Sequence, residues 1–263
     1  EEIIMNEVAK KKGTQVSTDV MDLINESTGE GTVFDSSELQ IPFIRLIQAM
    51  SPQLSKKKAE YIEGASQGDA FNTVTKERWD GETGLTVVPC YQTTKYLEFV
   101  PRESGGGFQG EISPGDPVIS KTTRNGAKEI LPNGNEMVKS DQHFCLVIGE
   151  DGSTQPAIID MKSTQLKVSK RWKTMIAMER TVETKNGPKK PDCYTVRWKL
   201  SSIEQSNDKG TFANWQVERL GYVETREQIL EAKAFRESVK AGEVKAAPEE
   251  SSSSSDNGDD IPF

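Results

Sequence analysis

The chain has one histidine, His143, three cysteines and no apolar run long enough to span a membrane, and each scarcity removes a class of function. A single imidazole leaves little scope for acid–base catalysis of the common kind. Neither a G-x-x-x-x-G-K-[ST] phosphate loop nor a G-x-S-x-G nucleophile elbow occurs, so no enzyme of those types is expected. Cys90, Cys145 and Cys193 are odd in number and widely spaced, which argues for reduced thiols in a cytoplasmic compartment. His143 and Cys145 would share one face of a strand, as two zinc ligands do. The paired spacing of a metal site is missing, however, so they are expected in the core, with no metal and no cofactor. The first residues lack the basic segment and long apolar stretch of an export signal, and Met5 is a candidate start if the four residues before it are a boundary artefact.

What remains is a polar chain of 263 residues, 34% hydrophobic and 28% charged, which suits one folded domain with polar ends. Its charge is segregated. The formal net charge is −8, yet residues 1–40 hold nine acidic and three basic side chains, and residues 248–263 hold five acidic and none basic. Residues 41–247 are left with 30 basic against 27 acidic groups. Within 162–199 the excess sharpens to eleven basic against three acidic, a stretch able to neutralise several phosphates and release their counterions.

Composition and periodicity divide the chain into a flexible acidic arm (1–38), a domain (39–240) and a serine-rich linker with an acidic tail (241–263). Strands are expected at Ile41–Ile47, Gly68–Thr75, Leu85–Tyr91 and Lys95–Val100, the last two as an antiparallel meander. A glycine loop, Ser104 to Gly110, carries Phe108 at its tip, and 111–140 reads as turn-rich. His143–Ile148 and Gln155–Asp160 form a hairpin about Glu150–Ser153. Between Ser163 and Arg180 the period turns helical, with Trp172 on the buried face. In the strand Asp192–Leu200, Thr195, Arg197 and Lys199 lie opposite Tyr194, Val196, Trp198 and Leu200. One more strand spans Thr211–Val223, and Thr225 to Gln228 offers a capping box for a helix to about Val239. Many short strands, an inserted helix and no βαβ alternation predict a mainly β, OB-like, partly open antiparallel barrel.

The most specific signal is the C-terminus. Asp259-Asp260-Ile261-Pro262-Phe263 resembles the tip of bacterial single-stranded DNA-binding proteins, where a disordered linker also precedes an acidic Pro-Phe end. In such a tip Phe263 fills an apolar pocket, Pro262 limits the entropy lost on docking, and Asp256, Asp259 and Asp260 steer toward a basic rim, with Ile261 beside them. The body resembles phage-encoded single-stranded DNA-binding proteins, on Ile41-Pro42-Phe43-Ile44-Arg45-Leu46, Ser51-Pro52, Gly68-Asp69 and Val87-Val88-Pro89. That resemblance implies an enlarged OB-like domain that binds single-stranded DNA in the host cytoplasm, and a tip that recruits a polymerase, helicase, primase or recombination protein. A homo-oligomer is compatible with it.

A body that grips single strands should offer aromatic planes and cations. The candidates are Tyr91, Tyr96 and Arg102 on or beside the meander, Phe108, the helical Lys170, Arg171 and Lys173, and Arg197 and Lys199 on one strand face. Two other readings compete. Asp160-Met161-Lys162 has the D-x-K form of metal-dependent nucleases, with Asp141 or Asp151 as further acids. A recruitment adaptor would use the tip alone. Removing Asp256 through Phe263 should tighten binding to short oligonucleotides, because a tethered polyanion competes with DNA, and should abolish partner capture. Electrophoretic titration checks the first effect, and unchanged affinity removes the competition.

Overall fold

The computed structural model describes residues 40–207 and 210–246; the expected arm at 1–38 and the tip at Asp256–Phe263 lie outside them. The strands are β1 (Gln40–Ile41), β2 (Ile44–Leu46), β3 (Ala70–Asn72), β4 (Arg78–Trp79), β5 (Leu85–Phe99), β6 (Phe108–Ile112), β7 (Thr123–Asn125), β8 (Lys128–Ile130), β9 (Glu136–Ile148) and β10 (Thr154–Lys162). Helix α1 (Leu166–Ala177) follows, then β11 (Val182–Thr184), β12 (Gly187–Lys189), β13 (Val196–Asn207), β14 (Gly210–Tyr222), helix α2 (Arg226–Ala241) and β15 (Lys245–Ala246).

The fold is mainly β and its principal sheet is antiparallel, in the order β14-β13-β5-β9-β8-β7, with β10 also on β9 and β6 also on β5. The wall curls without closing. Beyond β10 the neighbour is the segment before β2: Ile158 N donates to Pro42 O at 2.9 Å, and Phe43 makes a single parallel bridge to Ile158. From β2 the wall reaches β14 through a side chain, Gln48, whose Nε2 donates to Ala213 O (3.0 Å) and whose Oε1 accepts from Ala213 N (2.9 Å). Gln48 thus stands in for a strand at one residue of the β14 edge, Ala213.

Alternation along these strands makes two cores. The inner one holds Ile44, Val87, Val147, Ile159, Trp172, Trp198 and Trp215. The outer one lies between the sheet and α2, where Ala232 and Phe235 meet Val88, Phe144, Leu146 and Ile158. Thr225 caps α2 by accepting from Gln228 N at 3.2 Å, and Gly242 ends it in the left-handed region (φ 73°). The reciprocal half of the expected capping box is not made. Gln228 Nε2 donates instead to Gly152 O at 2.9 Å, tying the helix to the β9–β10 turn.

The expected meander is one continuous strand. Gln92-Thr93-Thr94 suits a strand, and the break in alternation is a bulge between Pro89 and Tyr91 that puts both Cys90 and Tyr91 against the α2 side. Pro89, which has no N–H for the ladder, sits at that bulge. The turn-rich 111–140 contains β7, β8 and the start of β9, so that β5 and β9 run on beyond the barrel as a long arm. Helix α1 stops at Ala177, short of Arg180, and Cys193–Thr195 is a 3-10 turn before β13, which takes Tyr194 off the strand. Replacing Gln48 with Ala should cost about 1–3 kcal/mol in urea unfolding, because both edge groups of Ala213 lose their partner. A loss below about 0.5 kcal/mol would mean that water replaces the side chain without penalty.

Candidate nucleic-acid interface

Helix α1 carries no side-chain N-cap and no acid in its first turn, so its stability comes from what it is packed on. Trp172 is 0% exposed, stacks on His143 with centroids 4.6 Å apart, and meets Trp198 edge-on. Beside this pair the buried carboxylate of Asp141, on β9, accepts from Ser169 Oγ at 2.7 Å, Lys173 Nζ at 2.5 Å and Thr94 Oγ1 at 2.7 Å. His143 Nε2 lies 2.9 Å from Ser169 Oγ. The hydroxyl has one proton and gives it to Asp141, so Nε2 carries the imidazole proton and donates to Ser169. Burial pushes Asp141 up, but the Lys173, Thr94 and Ser169 hydrogen bonds outweigh it and hold the carboxyl below its usual range. Burial pushes His143 down to about 4, against the pull of Asp141 and with the help of Lys173.

This bonding leaves the opposite face of α1 to solvent. Lys167, Lys170 and Arg171 are exposed there, followed by Arg180 and the β11–β12 hairpin with Lys185 and Lys189. None of these six cations has an ion-pair partner among the described residues. Lys190 folds back to the carbonyl of Ala177, where a cation complements the helix C-terminus. The result is a cationic helix face followed in the chain by a hairpin whose exposed side chains include Lys185, Lys189 and one acid, Glu183.

The sequence-derived candidates divide around it. Lys170 and Arg171 belong to this face, whereas Lys173 is committed to Asp141. Arg197 pairs with Glu224 at 2.6 Å and donates to Tyr222 O at 3.0 Å; Lys199 is half-buried opposite Thr86 and Glu218. Tyr96 is half-buried on the β5–β9 arm, with the exposed Lys139 as its cross-strand neighbour and Thr94, the Asp141 ligand, two residues away. Tyr91 packs on Phe144 at 6.2 Å within the outer core. Phe108 is not at a loop tip: it begins β6 and packs on Phe99 at 5.5 Å, the glycines before it making the turn. Arg102 opens a 3-10 turn after β5. Sequence reasoning counted Lys167, Arg180, Lys185 and Lys189 in the basic stretch but did not single them out. The Gln48 clasp left no signal in the sequence pattern.

The D-x-K residues are arranged differently from a metal site. Asp160 is buried and paired with Lys162 (3.1 Å) and Arg45 (3.8 Å), and strand alternation turns it to the opposite face from Asp141. Asp151 accepts from Ser153 N and Oγ in the β9–β10 turn. Among the described residues no group of three or more His, Cys, Asp or Glu is placed to hold a metal, and no helix is long and apolar enough to cross a membrane. Cys90 and Cys145 are buried and Cys193 half-buried; burial pushes their thiols up, that of Cys90 to about 12.

The family model described as Pam3 phage gp34-like protein matches residues 10–245 of the chain. No curated protein and no solved structure matches it.

The buried imidazole sets an acid dependence. In the unfolded chain His143 takes a proton near pH 6.5, whereas in the folded chain it does so only near 4, so stability present above pH 6.5 is lost as the pH falls toward 4. The loss should be about 3 kcal/mol at most, read from urea midpoints across that window. His143→Gln should flatten it; parallel losses in the two proteins would show that the imidazole is not the titrating group.

Proposed function

The chain belongs to the Pam3 phage gp34-like family, and from that premise we propose that it binds single-stranded DNA without strong sequence preference during phage DNA replication and recombination. The observation that carries this reading is the set of exposed cations on α1, at Arg180 and on β11–β12, none of which makes an ion pair among the described residues, with Glu183 the one acid in the hairpin. Phosphates of a polynucleotide complement such a face, and the counterions they release drive binding whatever the base sequence. The acidic tip, with its terminal Phe263, completes the proposal: it recruits a replication or recombination protein while the body stays on DNA.

The committed cations sharpen the test. Lys173 is bonded to the buried Asp141, and Arg197 to Glu224 and the Tyr222 carbonyl, so their reversal would break these contacts along with any interface. Lys170 and Arg171 project from the outer face of α1 and can be reversed without breaking a described contact. Lys170→Glu with Arg171→Glu should weaken retention of oligo-dT by about 10-fold or more at low salt. It should also lower the slope of log affinity against log salt by about 1–2. Electrophoretic titration at two salt concentrations reads both. Affinity and slope unchanged by the double reversal would place any DNA contact elsewhere, and a wild-type chain that ignores oligo-dT in dilute buffer would end the proposal. Cleavage of the labelled strand in the presence of Mg²⁺ would instead favour a nuclease.

A further inference from the structure

Cations attract paired and unpaired DNA alike, so a single-strand binder needs a second element that reads the faces of unpaired bases. Tyr222 is the most exposed aromatic among the described residues, at 46%. It ends β14 close to the C-terminus of α1. Arg219 lays its guanidinium over the Tyr222 ring, 5.1 Å from the centroid, and grips Glu179 with Nη2 at 2.6 Å and Nε at 3.0 Å. Glu179 lies two residues beyond α1, so the ring is fastened to the helix that bears Lys170 and Arg171. On the other side Arg197, itself paired with Glu224, donates to the Tyr222 carbonyl.

A shallow cleft lies at the C-terminal end of α1, and Tyr222 is not part of its lining. Its lining includes Ile176, Glu179, Val196 and Trp198. Val196 is the cross-strand partner of Tyr222, and Glu179 is the anchor of the guanidinium that covers the ring. Trp198 is 1% exposed, and its indole Nε1 has no hydrogen-bond partner among the described residues.

We propose that Tyr222 is a base-stacking plane: an unpaired nucleobase lies on the open face of its ring, at the end of the cationic track along α1. This rests on the reading of the chain as a single-stranded DNA binder. The ring is covered on one face by the Arg219 guanidinium, and its backbone is held by Arg197 at the carbonyl, so part of the side-chain entropy is already lost before any ligand arrives. Bases in a duplex are already stacked on their neighbours and offer no face, so the ring discriminates where the cations do not. Both nearby arginines are neutralised by their own carboxylates, Glu179 and Glu224, so the ring contributes a term that salt does not screen.

The test is a fluorescence-anisotropy titration of labelled oligo-dT at two salt concentrations, using full-length wild type, Tyr222→Ala, Tyr222→Phe and the Lys170→Glu, Arg171→Glu double variant. Tyr222→Ala should weaken binding by about 5- to 150-fold with an unchanged salt slope, and Tyr222→Phe should stay within about twofold of wild type. The double variant should lose slope. Thermal unfolding of each variant separates a loss of contact from a loss of fold. Wild-type affinity in Tyr222→Ala overturns the stacking plane, and if the double variant has meanwhile lost binding, the parent reading stands. Equal losses in Tyr222→Phe and Tyr222→Ala also overturn it, because the hydroxyl would then carry the effect. A loss accompanied by a smaller salt slope overturns it too, since the ring would then be acting through the arginines. Absence of binding by the wild type defeats the parent reading instead.

Discussion

Asp141 is a carboxylate removed from water at the place where the barrel wall meets helix α1, and the arrangement around it follows from the need to satisfy that charge. An ionised group in a low-dielectric interior is tolerated only with a counter-charge and a full set of donors. Lys173 supplies the charge, and Ser169 and Thr94 supply two further hydrogen bonds. Two of these three groups lie on α1 at positions four apart, so the carboxylate selects one face of the helix and one height along it. His143 then has only one role open to it. With the Ser169 proton directed to Asp141, the imidazole must be a neutral Nε2 donor, and its ring becomes the flat surface on which Trp172 stacks. A Ser, His and Asp in hydrogen-bond sequence here form a structural latch: the carboxylate bonds the hydroxyl and not the imidazole, and the hydroxyl proton is already given away.

The latch sorts the cations of the basic stretch into two kinds. Lys173 and Lys190 serve the helix itself, one at the buried carboxylate and one at the C-terminal carbonyl, and Arg197 pairs with Glu224. Lys167, Lys170 and Arg171 face outward because the helix cannot rotate without breaking its two hydrogen bonds to Asp141, from Ser169 and Lys173, or unburying Trp172. Removing a buried Trp from its packing costs about 3–5 kcal/mol, far above the mutual repulsion of a few solvated lysines. The cationic face is therefore a consequence of the core.

The sequence made one layer of this legible. The alternation Val196, Trp198, Leu200 against Arg197, Lys199 and the 3.6-residue spacing about Trp172 gave the burial of both tryptophans, and the Asp-Gly turn gave the β9–β10 hairpin. What failed did so for local physical reasons. A bulge at Cys90 reverses the phase of alternation, so a single strand reads as two; glycines at 105–107 look like a mobile tip when they are the turn that seats Phe108 on Phe99. Whether a cation is free or committed depends on carboxylates distant in the chain, 32 residues for Lys173 and 27 for Arg197, and no local pattern records such pairings. Tyr222 was hidden for a related reason. Phe212 through Trp215 are all buried, which erases the period of β14, and Tyr222 follows a register shift that carries it past the edge of the core.

A formal charge of −8 and a cationic helix face in one chain are not a contradiction, because the range of the interaction decides which charges count. At physiological ionic strength charges more than about 8 Å apart in solvent are largely screened from one another. Phosphates brought to Lys170 and Arg171 would therefore respond to the side chains within reach of them, while the acidic excess of residues 1–40 and 248–263 would act only if those segments came to the same place. The net charge of the whole chain governs solubility and long-range steering; the local face governs affinity at contact. The number of counterions released on binding should therefore follow the occupied cations of α1 and β11–β12 and be insensitive to the total charge, except through whatever acidic chain competes for the same face.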